Sequence, residues 1–197
     1  YNMINNSPSY AESKAKVTPK KITVISKIYL NMTKEFCKRQ KVDLGNSWRF
    51  KDMKKNSFKV SRKRKKILLV LCGVYEIDKI LIDLIYKTCL ENKKLIINIK
   101  AHPILNIRKM IKKDLPKNII IKKERLQDLL SKTKTVITSG PSSTILESSS
   151  NGNFLILPNI EAGTKMNALR HKLLLKNYKL INNSKELFRS IKLFNNR

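Results

Sequence analysis

The sequence predicts a doubly wound α/β fold with a parallel sheet, preceded by a fragment of a second domain. From residue 66 onward, short apolar runs alternate six times with stretches of helical periodicity. Strands that are nearly continuous in Val, Ile and Leu are typical of a parallel sheet buried on both faces, because each crossover places a helix over one face. These two observations together predict the fold class.

The elements are predicted in order along the chain. Residues 1–19 are polar and lack periodicity, which indicates a disordered or truncated end. Residues 20–50 are interpreted as one strand-helix unit (22–25 and 27–39), and residues 51–66 as a basic linker. Within the main domain, 67–197, the predicted strands are 67–72, 95–99, 119–121, 135–138, 154–157 and 178–181. The predicted helices are 78–91, 105–113, 125–131, 142–150, 165–176 and 184–193.

Length and composition exclude several classes of protein. The chain has 197 residues and is 41% hydrophobic, so it is not wholly disordered. Three cysteines without a CxxC pair exclude a zinc ribbon and a dithiol redox motif, and favour free thiols in the cytoplasm. No apolar run approaches the length of a membrane span, and no secretion signal opens the sequence. Because residue 1 is Tyr, we expect a C-terminal part of a longer protein.

The positive charge has several interpretations. Lys and Arg number 43 against 14 acidic residues, a net charge of +29, but 34 are Lys and only 9 are Arg. Lys, Asn and Ile are all abundant, as in the products of AT-rich genomes. Residues 51–66 hold nine cations against Asp52 alone. This cluster is interpreted as a solvated linker. The alternatives are nucleic-acid binding, which Arg's scarcity disfavours, and peripheral contact with anionic lipid, where each cation contributes about 1 kcal/mol.

In a doubly wound sheet ligands bind beyond the carboxyl ends of the strands, so the residues there are the candidates. Gly73 follows the first strand of the main domain and lets a backbone approach a ligand closely. Lys100 and His102 follow the second, and Pro103 restricts His102 to extended backbone. His102 is interpreted as binding an anion or a ribose. The alternative is that its side chain hydrogen-bonds only to backbone groups. Asn159 and Glu161 lie in a loop after the fifth strand. Either this loop closes over a ligand, or the two side chains are simply solvated.

The most informative segment follows residues 135–138. A strand, a turn of small residues and serines opening a helix are typical of a phosphate site, and the alternative is an ordinary helix N-cap. The candidate ligand-binding residues of this segment are Ser139, Gly140, Ser142, Ser143, Thr144 and Glu147.

Several standard sites are missing from the sequence. There is no GxGxxG or GxxxxGK[ST] motif, no DxD or HExxH motif, and no GxSxG elbow. We therefore expect neither a metal nor a cofactor, and no hydrolase triad. No catalytic residue is assigned.

These residues resemble the GT-B glycosyltransferases of bacterial surface carbohydrate synthesis. The match is Lys-X-His-Pro at 100–103, followed by Ser-Gly-Pro-Ser-Ser-Thr-Ile-Leu-Glu at 139–147. It is similar to the HP and SS motifs of capsule-type sialyl- and Kdo transferases. The resemblance implies that His102, Ser142 and Ser143 meet the phosphates of a nucleotide sugar, and that Glu147 meets its ribose. The resemblance covers roughly residues 20–190. It implies that residues 20–50 are the last strand and helix of the N-terminal domain, and that the C-terminal Rossmann-like domain holds the nucleotide sugar.

The resemblance implies a metal-independent transferase with a nucleotide-sugar donor and a glycan or lipid-linked acceptor. In this family the acceptor site and the usual base lie in the N-terminal domain, most of which is missing here. Two other classes stay open. One is a non-hydrolysing sugar-nucleotide epimerase, and the other is a basic protein that binds RNA or anionic membranes. A cytoplasmic location, peripheral at the inner face of the membrane, is expected.

Overall fold

The computed structural model describes residues 14–17, 20–24, 30–31, 33–34, 38, 40–45, 64–111, 114–139, 142–159 and 177–195. It divides the chain into two compact units, residues 1–54 and 55–197. The predicted helix at 165–176, most of the predicted helix at 27–39 and most of the basic cluster 51–66 lie outside the described residues.

The first unit contains two parallel strands, β1 (Lys21–Val24) and β2 (Lys41–Leu44). Ile22 and Val42 pair in register and are buried, with Val24 and Leu30 packed against them. Sequence reasoning expected the first strand here but did not expect the second. A parallel pair with so small a core needs further strands or helices to be stable.

The second unit is built on a six-stranded sheet whose strands are all parallel. Its strands are β3 (Lys66–Val70), β4 (Ile97–Lys100), β5 (Ile119–Lys122), β6 (Thr133–Ile137), β7 (Phe154–Pro158) and β8 (Tyr178–Ile181). Their order across the sheet is β5-β4-β3-β6-β7-β8. All six predicted strands are present, with small shifts at their ends, and the predicted fold class is confirmed.

Helices follow five of these strands. They are α1 (Tyr75–Glu91), α2 (Ile107–Met110), α3 (Leu126–Lys132), α4 (Thr144–Ser150) and α5 (Ser184–Asn195). The helix predicted at 105–113 is much shorter: Asn106 caps its start by accepting from Arg108 N at 3.0 Å, and Ile111 is already extended. The helix predicted from Asp78 begins three residues earlier, at Tyr75.

The sheet is buried on both faces, which is why its strands are so apolar. On one face, Leu69 and Ile99 belong to a core that includes residues of α1, α2 and α5. There Phe154 stacks on Phe194 of α5, with ring centroids 4.6 Å apart. On the other face, Leu68 belongs to a core that includes residues of α3 and α4. Alternating strand residues thus serve two helix layers, the arrangement of a doubly wound sheet.

The strand order identifies the switch point. Numbered within its own domain the order is 3-2-1-4-5-6, the order of the Rossmann fold. The chain builds outward from β3 to β5, then returns to β6 on the other side of β3. Ligands of open α/β sheets bind at the carboxyl edge where the order reverses. That point lies between the ends of β3 and β6.

Candidate functional site

Hydrogen bonds join the strand ends at the switch point. Thr138 directly follows β6, and its buried Oγ1 donates to the carbonyl oxygen of Val70 at 3.0 Å. On the other side of β3, the amide of Leu71 donates to the carbonyl oxygen of Lys100 at 3.1 Å. The segments that follow β3, β4 and β6 are therefore fixed beside one another.

Gly73 and His102, both predicted from sequence, are in direct contact. Gly73 has φ +90°, a backbone conformation that favours glycine. A Cβ built on it would lie 2.7 Å from Nδ1 and 2.9 Å from Cγ of His102. Only a glycine therefore leaves room for the imidazole in this position.

The imidazole of His102 is also oriented by its own loop. The amide of Ile104 donates to His102 Nδ1 at 3.4 Å. Because Nδ1 accepts this bond, the proton of the neutral ring is assigned to Nε2, which is left as a donor. His102 is half-buried, so a ligand can reach it.

Asp78 holds the turn that contains Gly73, and sequence reasoning missed this role. Its side chain is fully buried, and its two carboxylate oxygens accept from the amides of Cys72 and Gly73, both at 2.8 Å. Val74, at the N-cap of α1, makes no side-chain cap bond, and Asp78, in the first turn, instead binds the amides of the two residues that precede Val74. The sequence does offer a signal for this role, because an acidic residue lies in the first turn of a helix that follows a strand and a glycine.

Ser139 and Cys72 complete the site. Ser139 is 2% exposed, and its hydroxyl makes no hydrogen bond of standard geometry with any described residue. Burial raises the pKa of the Cys72 thiol, and the Ser139 hydroxyl lies near enough to oppose that rise. We call the group Cys72, Gly73, Asp78, His102 and Ser139 the switch-point corner.

The serines after Ser139 are engaged in building the start of α4. The amide of Ser142 donates to the Ser139 carbonyl, and Ser142 Oγ accepts from the amide of Thr144, both at 3.2 Å. Ser142 therefore acts as a helix cap, the alternative that the sequence left open. Gly140 lies outside the described residues.

The remaining residues of this segment lie in the first turn of α4 or just before it. Thr144 and Glu147 are buried, and Ser143 is half-buried with helical backbone angles. The helix has only seven residues, so its dipole is small.

Two other predicted residues bond elsewhere on the carboxyl edge. Lys100 Nζ donates to the carbonyl oxygen of Lys123, just after β5, at 3.1 Å. Asn159 is exposed, and its Nδ2 donates to Asn182 Oδ1, just after β8, at 3.3 Å. Glu161 lies outside the described residues. Of the predicted residues, the structure thus brings Gly73, His102 and Ser139 into one place.

Two searches of the described residues bear on metals and membranes. No cluster of three or more His, Cys, Asp or Glu side chains there is arranged to hold a metal ion. No helix in that part of the chain is long and apolar enough to cross a membrane.

Comparison with known proteins gives a fold match but no sequence match. No protein-family model and no curated protein matches this chain. Among solved structures, TarM aligns with a TM-score of 0.59 at 17% identity, covering 99% of this chain and 42% of its own. CalG4, the calicheamicin glycosyltransferase, aligns with a TM-score of 0.53 at 12% identity, covering 71% and 36%. The glycotransferase of kitacinnamycin aligns with 0.51 at 11%, covering 90% and 46%.

This chain shares its Rossmann-like α/β fold with part of each of these structures. At these identities the likeness concerns the fold alone, and it agrees with the Rossmann strand order. The chain spans less than half the length of each of these structures. The narrower resemblance to capsule sialyl- and Kdo transferases stays a prediction.

Proposed function

We propose that this chain is the nucleotide-sugar-binding half of a glycosyltransferase. The observation that carries the proposal is the switch-point corner, where doubly wound sheets bind ligands: an imidazole packed on Gly73 and, near Cys72 on the other side of β3, the buried hydroxyl of Ser139. CalG4, the calicheamicin glycosyltransferase, and the glycotransferase of kitacinnamycin have the same fold. The motifs at 100–103 and 139–147 favour surface polysaccharide synthesis as the pathway.

Asp78 limits where the phosphates of the donor bind. The amides of Cys72 and Gly73 already donate to its carboxylate, so this turn is not an anion-binding nest. The neighbouring groups that offer a proton to a phosphate oxygen are Nε2 of His102 and the hydroxyl of Ser139. The phosphates therefore lie on the His102 and Ser139 side of the corner, away from Asp78.

The reaction assigns a specific task to the hydrogen-bond donors of His102 and Ser139. In glycosyl transfer the bond between the anomeric carbon of the sugar and the phosphate oxygen breaks, and the nucleotide leaves with the electron pair. An acceptor hydroxyl forms the new bond to the anomeric carbon and gives up its proton. Donors placed on the phosphate oxygens stabilise the charge that develops there. The described residues of this half supply that stabilisation, and the acceptor and the base belong to the other domain.

The first unit is consistent with a larger N-terminal domain. Its two parallel strands bury little apolar surface between them, so they fit the end of a longer sheet. We assign residues 20–50 to that domain, as the sequence predicts.

The test is a thermal shift of the chain with CMP, UDP, GDP, CDP and their sugar conjugates. A ligand at 100 times its Kd stabilises the folded state by about 2.7 kcal/mol, which raises the Tm of a protein of this size by roughly 5–10 °C. His102→Ala and Ser139→Ala should each weaken binding about tenfold, the value of one good hydrogen bond to a charged group. Ser131→Ala, which removes a hydroxyl of α3 bonded to Asp128, is the matched control.

The proposal fails if no nucleotide shifts a chain that melts cooperatively. It also fails if Ser131→Ala weakens binding as much as Ser139→Ala does.

A further inference from the structure

The opposite edge of the sheet carries a second surface, formed by the segments that precede the strands. Asn118, before β5, donates through Nδ2 to the carbonyl oxygens of Cys89 at 3.1 Å and Leu95 at 2.8 Å. This ties the end of α1 and the segment before β4 to β5. Lys134, in β6, donates to the carbonyl oxygen of Asn195 at 2.9 Å and so ties the end of α5 to the same edge. We call this surface the amino edge.

The amino edge is strongly basic. Besides the buried Lys134, eight cations and only two carboxylates lie there among the described residues, and all eight except half-buried Arg64 are exposed. The cations are Arg64, Lys65, Lys66, Lys93, Lys94, Lys117, Lys132 and Lys192, and the carboxylates are Glu91 and Asp114. Arg64 donates to the carbonyl oxygen of Asn151 at 3.0 Å, which joins the segments before β3 and β7. The cations thus border one continuous set of loops.

Exposed aliphatic side chains lie among these cations. Ile96, between Lys94 and β4, is 56% exposed, and Leu90, in the last turn of α1, is 52% exposed. Leu193, in the last turn of α5, is 42% exposed. Since α1 packs beside α5, the two leucines end neighbouring helices at the same edge. Apolar side chains within a ring of lysines match the interfacial region of a bilayer, where acyl chains lie beneath charged headgroups.

We propose that the amino edge docks on an anionic lipid bilayer. The lysines attract the negative headgroups, and Leu90, Ile96 and Leu193 enter the interface. Nucleic acid fits this surface less well, because seven of the eight cations are Lys, and base and phosphate recognition favours the planar Arg fork. The inference is independent of the proposed function, because the switch-point corner lies at the other edge of the sheet.

The experiment measures co-sedimentation of the 197-residue chain with vesicles. One set contains equal parts of phosphatidylcholine and phosphatidylglycerol, and the other contains phosphatidylcholine alone. The chain should bind the first and not the second, and binding should weaken as salt screens the charges. Each lysine near an anionic surface strengthens binding roughly fivefold. The double variant K93Q/K94Q should therefore bind about 25-fold more weakly.

The matched control removes two lysines from the opposite edge. K122Q/K123Q changes the net charge equally, but Lys122 ends β5 and Lys123 follows it, so both lie at the carboxyl edge. It should weaken vesicle binding no more than a fewfold. A third variant, Ile96→Asn, keeps every charge and should lower affinity several-fold through its lost apolar contact. Because Lys93, Lys94 and Ile96 are exposed, the Tm and the nucleotide binding of K93Q/K94Q and of Ile96→Asn should match those of the parent. Lys122 is half-buried, 3.8 Å from Glu124, so the Tm of K122Q/K123Q is measured as well.

Three results would overturn the inference. The first is no binding to phosphatidylglycerol vesicles. The second is an equal loss in both double variants, which would mean that diffuse charge, not this edge, attracts lipid. The third is tighter binding to a single-stranded RNA than to the vesicles, with the same loss in K93Q/K94Q, which would assign the edge to nucleic acid.

Discussion

Replacing Gly73 by Ala tests whether the imidazole of His102 is really seated on this residue. The new methyl group has two costs. The left-handed backbone, at φ +90°, costs a residue with a Cβ about 1–2 kcal/mol. The Cβ would also lie 2.7, 2.9 and 3.0 Å from three ring atoms of His102, and overpacking of this kind costs about 1–3 kcal/mol. Together they predict a loss of roughly 2–5 kcal/mol.

The two costs separate in a double-mutant cycle. In a His102→Ala background the contact disappears, so Gly73→Ala should cost only the backbone part, about 1–2 kcal/mol. The coupling between the two positions should then be about 1–3 kcal/mol. Urea denaturation, followed by far-UV circular dichroism, measures all four free energies. If Gly73→Ala costs the same with and without His102, the packing of the imidazole on Gly73 is wrong.

Two further predictions concern buried side chains of α1, Asp78 in its first turn and Cys89 near its end. Asp78→Asn replaces one acceptor oxygen by an N–H donor that faces a backbone amide. The free energy of unfolding should therefore fall by about 1–3 kcal/mol, and nucleotide binding should weaken. An equal loss in Asp83→Asn, an exposed position on the same helix, would contradict this. Burial raises the pKa of the Cys89 thiol from its ordinary 9.0 to about 11. The folded state therefore keeps this proton while the unfolded state loses it, and the free energy of unfolding should fall between pH 9 and 11 relative to Cys89→Ala. Parallel pH profiles for the two proteins would refute it.

The fold class could be predicted because a buried parallel sheet leaves a strong mark on the sequence. The central strands of the second unit are covered on both faces, so runs such as 67–72 and 154–157 consist almost wholly of apolar residues. Their ends were harder to predict. Residues 71 and 72 continue the apolar run, yet β3 ends at Val70 because the chain turns at Gly73. Lys134 is polar but belongs to β6, because α5 offers its amine a carbonyl oxygen.

The strand order could not be predicted from the sequence. Six similar apolar runs can pair in many orders, and the pairing depends on contacts far apart along the chain. Residues 73 and 139 could therefore be named as strand-end candidates, but not as neighbours. The structure makes them neighbours because β6 pairs with β3 on the side opposite β4. The same limit hid the second strand of the first unit.

The candidate site was only partly predictable for a related reason. Small and polar residues after a strand are visible in the sequence, so His102 and Ser139 could be named as candidates. The role of Asp78 was not, because a carboxylate in the first turn of a helix has an ordinary explanation in the helix dipole. Its burial and its two bonds to the amides of Cys72 and Gly73 appear only in three dimensions. Ser142 shows the converse, since its hydroxyl is engaged in capping α4.

The parallel sheet itself explains why nucleotide binding and lipid binding can be tested separately. All six strands run in one direction, so every loop that follows a strand lies at the carboxyl edge, and every loop that precedes one lies at the amino edge. His102 and Ser139 belong to the first set, and Lys93, Lys94 and Ile96 to the second. A strand of five residues spans roughly 16 Å, which exceeds the Debye length of about 8 Å at physiological salt. The electrostatic effect of a charge removed at one edge is therefore screened before it reaches the other edge. A loss of nucleotide binding in K93Q/K94Q would require a change in the sheet itself, and the Tm of that variant would reveal it.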